Sequence, residues 1–180
     1  MKKEIRICGF GGQGVILAGF IIGKAAAVFM DYEAVQSQSY GPEARGGAAR
    51  SEVIISDGKI GYPRPISVDL LVAMSQESFD SYRSDIRDDT RIVVDPDLVT
   101  KHEIGRPVYK INAQQIAEKL GNKIVTNIVM VGAATSILGL LEPEAVKKAV
   151  IDSVPSRFKD LNVAAFEKGL EAGKNALKEL

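Results

Sequence analysis

The sequence predicts a three-layer α/β/α protein with a largely parallel sheet, a glycine-rich turn after its first strand, and a helical final third. Short apolar runs alternate with segments of helical periodicity through the first two thirds of the chain. Such alternation is typical of a parallel sheet covered by helices on both faces. No repeat, low-complexity tract or flexible linker interrupts the 180 residues. We therefore expect a single domain, 1–180.

The strands are predicted at short runs of apolar or β-branched residues that stand between polar or turn-forming residues. The first contains Ile5 and Ile7 and ends at Gly9, and a second begins at Ala34. The run 68–74 is apolar almost throughout, as expected of a buried parallel strand. The other strands are predicted at 49–56, 91–94 and 107–111.

The helices are predicted from apolar residues that recur every three or four positions. The segment 127–140 is apolar on almost every face and predicts a buried central helix. Pro143 suits the first turn of the helix that follows. After Gly121 no segment resembles a strand. The other helices are predicted at 14–28, 75–85 and 112–120, with a last one from about 157.

Composition and charge exclude several classes of function. The chain has 23 basic and 23 acidic residues, which argues against a nucleic acid or an acidic membrane surface as its partner. The longest apolar stretch is too short to span a bilayer, and no targeting segment is evident, so we expect a cytoplasmic protein. One cysteine, Cys8, and one histidine, His102, exclude a disulfide, a multi-histidine metal site and a four-thiolate cluster within this chain. We expect Cys8 to be buried and His102 to be solvated, and neither to be catalytic.

The motif Gly9-x-Gly11-x-x-Gly14 follows a strand and opens a helix, which makes the first turn Rossmann-like. Glycines let the backbone approach a ligand closely, and the free N–H groups of the helix attract anions. The dinucleotide fingerprint also requires an acid at the end of the second strand, but 34–38 contains none. Glu33 would precede that strand. NAD binding is therefore disfavoured, and a turn that merely permits close helix–strand packing remains the alternative.

The segment Ser39–Gly47 predicts a loop at the carboxyl edge of the sheet, where open α/β sheets bind their ligands. Tyr40, Glu43 and Arg45 stand among its glycines. The planar guanidinium of an arginine suits a phosphate or a carboxylate. The alternative is a surface loop whose charged side chains are only solvated.

Asn127 stands at the start of the predicted central helix. Thr126 or Asn127 could cap that helix, because both side chains accept hydrogen bonds from free N–H groups of a first turn. We favour this cap over a direct contact of Asn127 with a ligand.

Three motifs resemble the gamma component of the 2-oxoacid:ferredoxin oxidoreductases, in order, in spacing and over the whole chain. They are Gly9-Phe10-Gly11-Gly12-Gln13-Gly14-Val15, Ser39-Tyr40-Gly41-Pro42-Glu43-Ala44-Arg45-Gly46-Gly47 and Asn127-x-x-Met130-x-Gly132-Ala133. The form of the second motif resembles that of the 2-oxoglutarate-type enzymes.

The resemblance implies a subunit that is not catalytic by itself. Enzymes of this family decarboxylate a 2-oxoacid oxidatively on thiamine diphosphate, reduce ferredoxin through iron–sulfur clusters and release an acyl-CoA. Thiamine diphosphate, magnesium and the clusters are then expected on alpha, beta and delta partners, and coenzyme A is the one ligand that this chain is expected to contact. The residues implied at the coenzyme A entrance or at a subunit interface are Gly11, Gly12, Gln13, Gly14, Tyr40, Glu43, Arg45, Gly46, Gly47 and Asn127.

Two alternatives stay open. The chain could be a stand-alone Rossmann-like module that binds a nucleotide as an enzyme or a sensor. It could also be a gamma subunit that serves another 2-oxoacid, such as pyruvate or a branched-chain or aryl acid.

Overall fold

A computed structural model of the chain describes residues 1–40 and 48–179, apart from the side chains of Tyr40 and Asp85. Six strands form one sheet in the order β2-β3-β1-β4-β5-β6. The α/β class is confirmed, and every predicted strand is present. The strands are β1 Lys2–Phe10, β2 Glu33–Tyr40, β3 Ala48–Ser56, β4 Leu70–Ala73, β5 Arg91–Val94 and β6 Tyr109–Lys110.

The sheet is mixed, because β3 runs opposite to the other five strands. β1, β4, β5 and β6 are parallel neighbours, whereas β3 is antiparallel to both β1 and β2. Only seven residues separate β2 from β3 in sequence, too few for the crossover that parallel neighbours require. Both ends of β2 differ from the prediction: Glu33 begins the strand instead of preceding it, and Ser39 and Tyr40 belong to the strand and not to a loop. β4 and β6 are shorter than the predicted runs 68–74 and 107–111.

Six α-helices accompany the sheet in the described part of the chain, as predicted. Ser75 caps the second by accepting a hydrogen bond from the Ser78 N–H, Pro143 begins the fifth, and Gly139 ends the fourth in the left-handed region. Short 3-10 turns precede the fourth and sixth helices. The helices are α1 Val15–Phe29, α2 Gln76–Tyr82, α3 Ala113–Lys119, α4 Thr126–Leu138, α5 Pro143–Ser153 and α6 Lys159–Glu179.

The two faces of the sheet are covered unequally. Ile5 and Ile7 point into the larger core, which also contains buried side chains of α1, α3, α4, α5 and α6. On the other face Cys8 and Phe79 belong to a smaller apolar cluster beneath the seven-residue α2. The middle layer of the fold is therefore buried on both sides, with most of the helical mass on one side.

α4 is the centre of the larger core, since all of its residues from Thr126 to Thr135 are buried. It packs against α6 with the two backbones in direct contact. A β-carbon on Gly132 would collide with the Phe166 carbonyl oxygen, and one on Gly169 would collide with the Val129 carbonyl oxygen. The glycines thus allow a separation between α4 and α6 that no larger residue would permit. No helix in the described ranges is both long and apolar enough to cross a bilayer.

Candidate functional site

The glycine-rich turn joins the carboxyl end of β1 to the start of α1. Gly12 has a φ of +93° and Gly14 a φ of +73°, conformations that strain any residue with a side chain. The Gln13 N–H donates to the Phe10 carbonyl oxygen at 3.2 Å, which closes the turn. Gly14 is the N-cap of α1, and the first turn of that helix carries no acidic residue. The backbone at this end of the sheet is therefore tightly turned, and Gly11 and Gly12 are exposed.

The side chain of Gln13 fastens this turn to the sheet. Its Oε1 accepts from the Phe10 N–H at 2.6 Å, and its Nε2 donates to the Met74 carbonyl oxygen at 2.8 Å, just beyond β4. Gly9 provides the space, because a β-carbon there would lie 2.5 Å from Gln13 Oε1. Both polar atoms of the Gln13 amide are thus engaged by backbone, and the side chain positions the turn.

Asn127 supports the turn from behind. Its side chain is only 3% exposed, and its Nδ2 donates to the Gly14 carbonyl oxygen at 3.1 Å. A β-carbon on Gly14 would lie 2.8 Å from Asn127 Cγ, so the approach requires glycine. Asn127 and the four residues Gly11, Gly12, Gln13 and Gly14 therefore meet at one place, as the family motifs imply.

The helix-cap interpretation of Asn127 and Thr126 is wrong. A 3-10 turn, Lys123–Val125, runs directly into α4, and no side chain caps the helix at its start. The cap lies one turn earlier, where Asn122 Oδ1 accepts from the Ile124 N–H at 3.0 Å. The hydroxyl of Thr126 donates to the Lys123 carbonyl oxygen at 2.7 Å. The preceding turn takes over the role of a cap, which leaves the Asn127 amide to bind Gly14.

Two concave surfaces flank the exposed edge of the turn. The larger, of about 370 Å³, lies between the turn, the start of α4 and the Val154–Asn162 region, and Leu17, Asn127 and Phe158 contribute to it. The smaller, of about 210 Å³, lies on the side of Met74. Gly12 and Ile124 border both. The larger groove is lined by apolar side chains, three asparagine amides and two glycines, so among the described residues it can bind a ligand but offers no general acid or base.

The second predicted motif is described only in part. The backbone of Tyr40 ends β2 and pairs with Ala49, which in turn pairs with Gly9. Tyr40 is thus two strands away from the glycine turn at the same edge of the sheet, roughly 10 Å by strand spacing. The predicted residues Glu43, Arg45, Gly46 and Gly47 lie outside the described residues, as does the side chain of Tyr40.

The lone cysteine and histidine have structural environments. Cys8 is buried, as expected. Burial raises the pKa of its thiol to about 12, so the thiol is protonated at neutral pH. The prediction of a solvated His102 is wrong. That side chain is buried, and its Nδ1 lies 2.6 Å from the Val99 carbonyl oxygen. The segment around it is held by Gln76 of α2, whose side chain bonds both backbone polar groups of Lys101 at 2.9 and 3.3 Å. No cluster of three or more metal-ligating side chains occurs in residues 1–40 and 48–179.

Sequence reasoning missed a buried ion pair and a buried carboxylate. On the second face of the sheet Arg6 Nε lies 2.8 Å from Glu52 Oε1, and both side chains are about 6% exposed. At the carboxyl end of β5 the Asp95 carboxylate accepts from the Asp97 and Gln114 N–H groups at 3.0 and 2.7 Å, while burial raises its pKa. The sequence signal for the Arg6–Glu52 pair is the alternation of charged and apolar residues within β1 and β3. For Asp95 the sequence shows only an acid that follows a strand.

Comparison with known proteins identifies relatives over the full length of the chain. Over 178 residues it is 49% identical to the 2-oxoglutarate synthase subunit KorC of Methanocaldococcus jannaschii, and the match covers 97% of this chain and 95% of the relative. A solved gamma subunit of a keto/oxoacid ferredoxin oxidoreductase from Geobacter sulfurreducens shares 44% identity and 98% of both chains, with a TM-score of 0.90.

The same fold forms part of a longer chain in a 2-oxoglutarate:ferredoxin oxidoreductase from Magnetococcus marinus. That match has a TM-score of 0.86 and covers 97% of this chain and 31% of the other. The structure of that enzyme contains 2-oxoglutarate, coenzyme A and succinyl-CoA, but at 24% identity the likeness shows the fold alone.

The family model described as pyruvate ferredoxin/flavodoxin oxidoreductase matches residues 4–172. The match includes the glycine turn, the Ser39–Gly47 motif and the Asn127 motif, so the resemblance inferred from the sequence is confirmed. The chain belongs to the pyruvate ferredoxin/flavodoxin oxidoreductase family.

Proposed function

We propose that this chain is the gamma subunit of a 2-oxoglutarate:ferredoxin oxidoreductase, a complex that converts 2-oxoglutarate to succinyl-CoA and reduces ferredoxin. The observation that carries the proposal is the 49% identity to a 2-oxoglutarate synthase subunit across nearly all of both chains. The form of the Ser39–Gly47 motif supports the same substrate.

The chemistry belongs to the partner subunits. This chain's residues do not fit an iron–sulfur cluster, because its single cysteine is fully buried and burial raises the pKa of that thiol to about 12. Thiamine diphosphate, magnesium and the clusters are assigned to alpha, beta and delta partners, and ferredoxin is the electron acceptor of the complex. We place the complex in the cytoplasm.

The part of this chain is to shape the entrance for coenzyme A. The free N–H groups at the start of α1 suit an anion such as a phosphate, and the exposed backbone of Gly11 and Gly12 permits close approach. Gln13 and Asn127 act as positioning residues, since their amide groups hold the turn through backbone atoms. Tyr40, Glu43, Arg45, Gly46 and Gly47, together with Gly14, complete the proposed surface.

The test is to purify the tagged chain from its native cells and assay the eluate for 2-oxoacid-dependent dye reduction. We expect larger cluster-bearing partners to co-purify and the dye to be reduced with 2-oxoglutarate plus coenzyme A. Pyruvate, 2-oxoisovalerate and indolepyruvate serve as parallel substrates. A complex that prefers one of these would refute the 2-oxoglutarate assignment but retain the subunit assignment.

The stand-alone alternative makes a different prediction. If the chain purifies alone and a nucleotide raises its melting temperature, it is a self-contained binding module, because a ligand that binds only the folded state stabilises it. That result would refute the proposal.

A further inference from the structure

A segment rich in proline, glycine and cations projects from the amino-terminal end of β1, and we call it the proline arm, residues 57–67. It follows β3, whose last residue Ser56 pairs with Lys2 at the beginning of β1. The glycine turn follows the other end of this nine-residue strand, roughly 25 Å away. The arm therefore lies outside the site described above.

Both ends of the arm are fastened to the body of the protein. At its start, Asp57 Oδ1 lies 2.6 Å from the amino-terminal nitrogen of Met1. At its end, the N–H groups of Ile66 and Ser67 donate to Glu4 Oε2 at 2.7 and 2.5 Å. Glu4 is itself 3% exposed. A buried carboxylate thus fixes the backbone that carries Ile66, and the prolines at 63 and 65 stiffen the residues before it.

The side chains on this fixed backbone point to solvent. Ile66 is 77% exposed and Tyr62 is 53% exposed, and neither packs against the apolar clusters of the described residues. Isolated apolar side chains on a surface are ordinary, but these two stand on one anchored segment, and exposed apolar patches mark interaction sites.

The charges of the arm indicate what the partner presents. Lys59 and Arg64 have no ion pair with any described residue, and 58–68 contains no acid. The neighbouring cations on β1 are paired instead: Lys2 with Glu4, and Lys3 with Asp69. In a chain of zero net charge this leaves the arm locally positive, so a complementary surface is apolar at its centre and carries carboxylates at its rim.

We infer that the proline arm is an assembly element, which places Ile66 and Tyr62 in an apolar, carboxylate-rimmed pocket of another subunit of the oxidoreductase complex. The inference rests on the proposed function, because it requires partner subunits. It adds a second contact surface at the end of the sheet opposite to the coenzyme A entrance.

The test compares complexes purified through tagged parent and variant chains, in which each partner subunit is identified by mass spectrometry. Serial dilution with a mass readout gives the concentration at which the complex dissociates. For Ile66→Asp and for Arg64→Glu we expect that concentration to rise at least tenfold, a factor of ten being about 1.4 kcal/mol. Leu177→Asp, which changes a 40% exposed side chain of α6, is the control and should leave the concentration unchanged.

The outcomes separate this inference from the proposed function. If the parent chain captures no partner subunit, both fail. If the parent captures the partners and the arm variants dissociate as the parent does, only the arm assignment is refuted. Equal weakening by Leu177→Asp also refutes it, because the effect would then be general. If the purified chain instead forms a homodimer that Ile66→Asp abolishes, the occupant is a second copy and the inference is wrong.

Discussion

Replacing Gly169 by alanine tests the close contact between α4 and α6. The added β-carbon would lie 2.7 Å from the Val129 carbonyl carbon, whereas ordinary contact begins at 3.4 Å. The obstacle is backbone, which cannot rotate away, and the Val129 carbonyl oxygen lies closer still, so the two helices must separate locally by at least about 0.7 Å. A gap of this size forfeits a quarter to a half of the dispersion attraction of the facing atoms.

The expected net effect is destabilisation by about 2 kcal/mol. Overpacking of a well-packed core costs about 1–3 kcal/mol, with backbone obstacles at the upper end, while alanine in a helix gains about 1 kcal/mol over glycine. For a chain of this size about 2 kcal/mol lowers the melting temperature by roughly 4–8 °C. Calorimetry or urea unfolding followed by circular dichroism measures the change.

Gly23→Ala is the matched control, since Gly23 also lies inside a helix but has space. A β-carbon there would lie 3.6 Å from Val53 Cγ1, an ordinary contact. This variant should be more stable by about 0.5–1 kcal/mol, because alanine reduces the freedom of the unfolded chain. A Gly169→Ala variant that melts at or above the parent temperature would refute the account of the α4–α6 contact.

Three further predictions concern polar groups. Gln13→Ala removes two hydrogen bonds to backbone, including the one to Met74, and should lower the free energy of unfolding by about 1–2 kcal/mol in urea titrations; an unchanged midpoint would contradict the positioning role. Cys8 should resist a thiol reagent in the native protein at pH 9 and react on unfolding. Because the folded-state pKa is raised from 9.0 to about 12, its contribution to stability is complete below pH 9 and is lost as the pH rises toward 12. Melting scans of the parent and Cys8→Ala should therefore diverge with pH in that window, and parallel curves would contradict the assignment. Glu52→Ala removes the buried carboxylate that lies 2.8 Å from Arg6 Nε, and should lower the free energy of unfolding by about 3 kcal/mol. Chemical unfolding measures this change against Lys168→Ala, which breaks only a surface pair.

The local pattern of apolar residues was sufficient to predict most of the strands and helices. The apolar runs around Val93 and Leu71 and the apolar segment of α4 are patterns that burial on both faces of a strand, or all around a helix, imposes on neighbouring residues. The direction of β3 is not such a pattern, because it depends on the number of residues that join it to β2. The burial of His102 was also missed, because its segment is held next to α2, where Gln76 and the backbone of Lys101 form two hydrogen bonds between residues far apart in sequence.

The site was predictable as a set of positions more than as a set of roles. Glycines at 12 and 14 indicate a turn of unusual backbone conformation, which the positive φ values confirm. That Gln13 reaches Met74, and that Asn127 reaches Gly14, cannot be inferred from the spacing of either motif, because each bond joins segments far apart in sequence. The family resemblance implied that these residues belong to one site, but it did not indicate which groups the amides of Gln13 and Asn127 bind.

The bond between Asn127 and Gly14 links residues 113 positions apart, and this has a consequence for biosynthesis. The first strand and the glycine segment leave the ribosome long before α4 is made, and contacts of such separation form late. Until then the Gly14 carbonyl lacks its partner amide. The entrance surface therefore gains its final support only when synthesis has passed the centre of the fold, so a truncated nascent chain presents an unsupported turn to the other subunits.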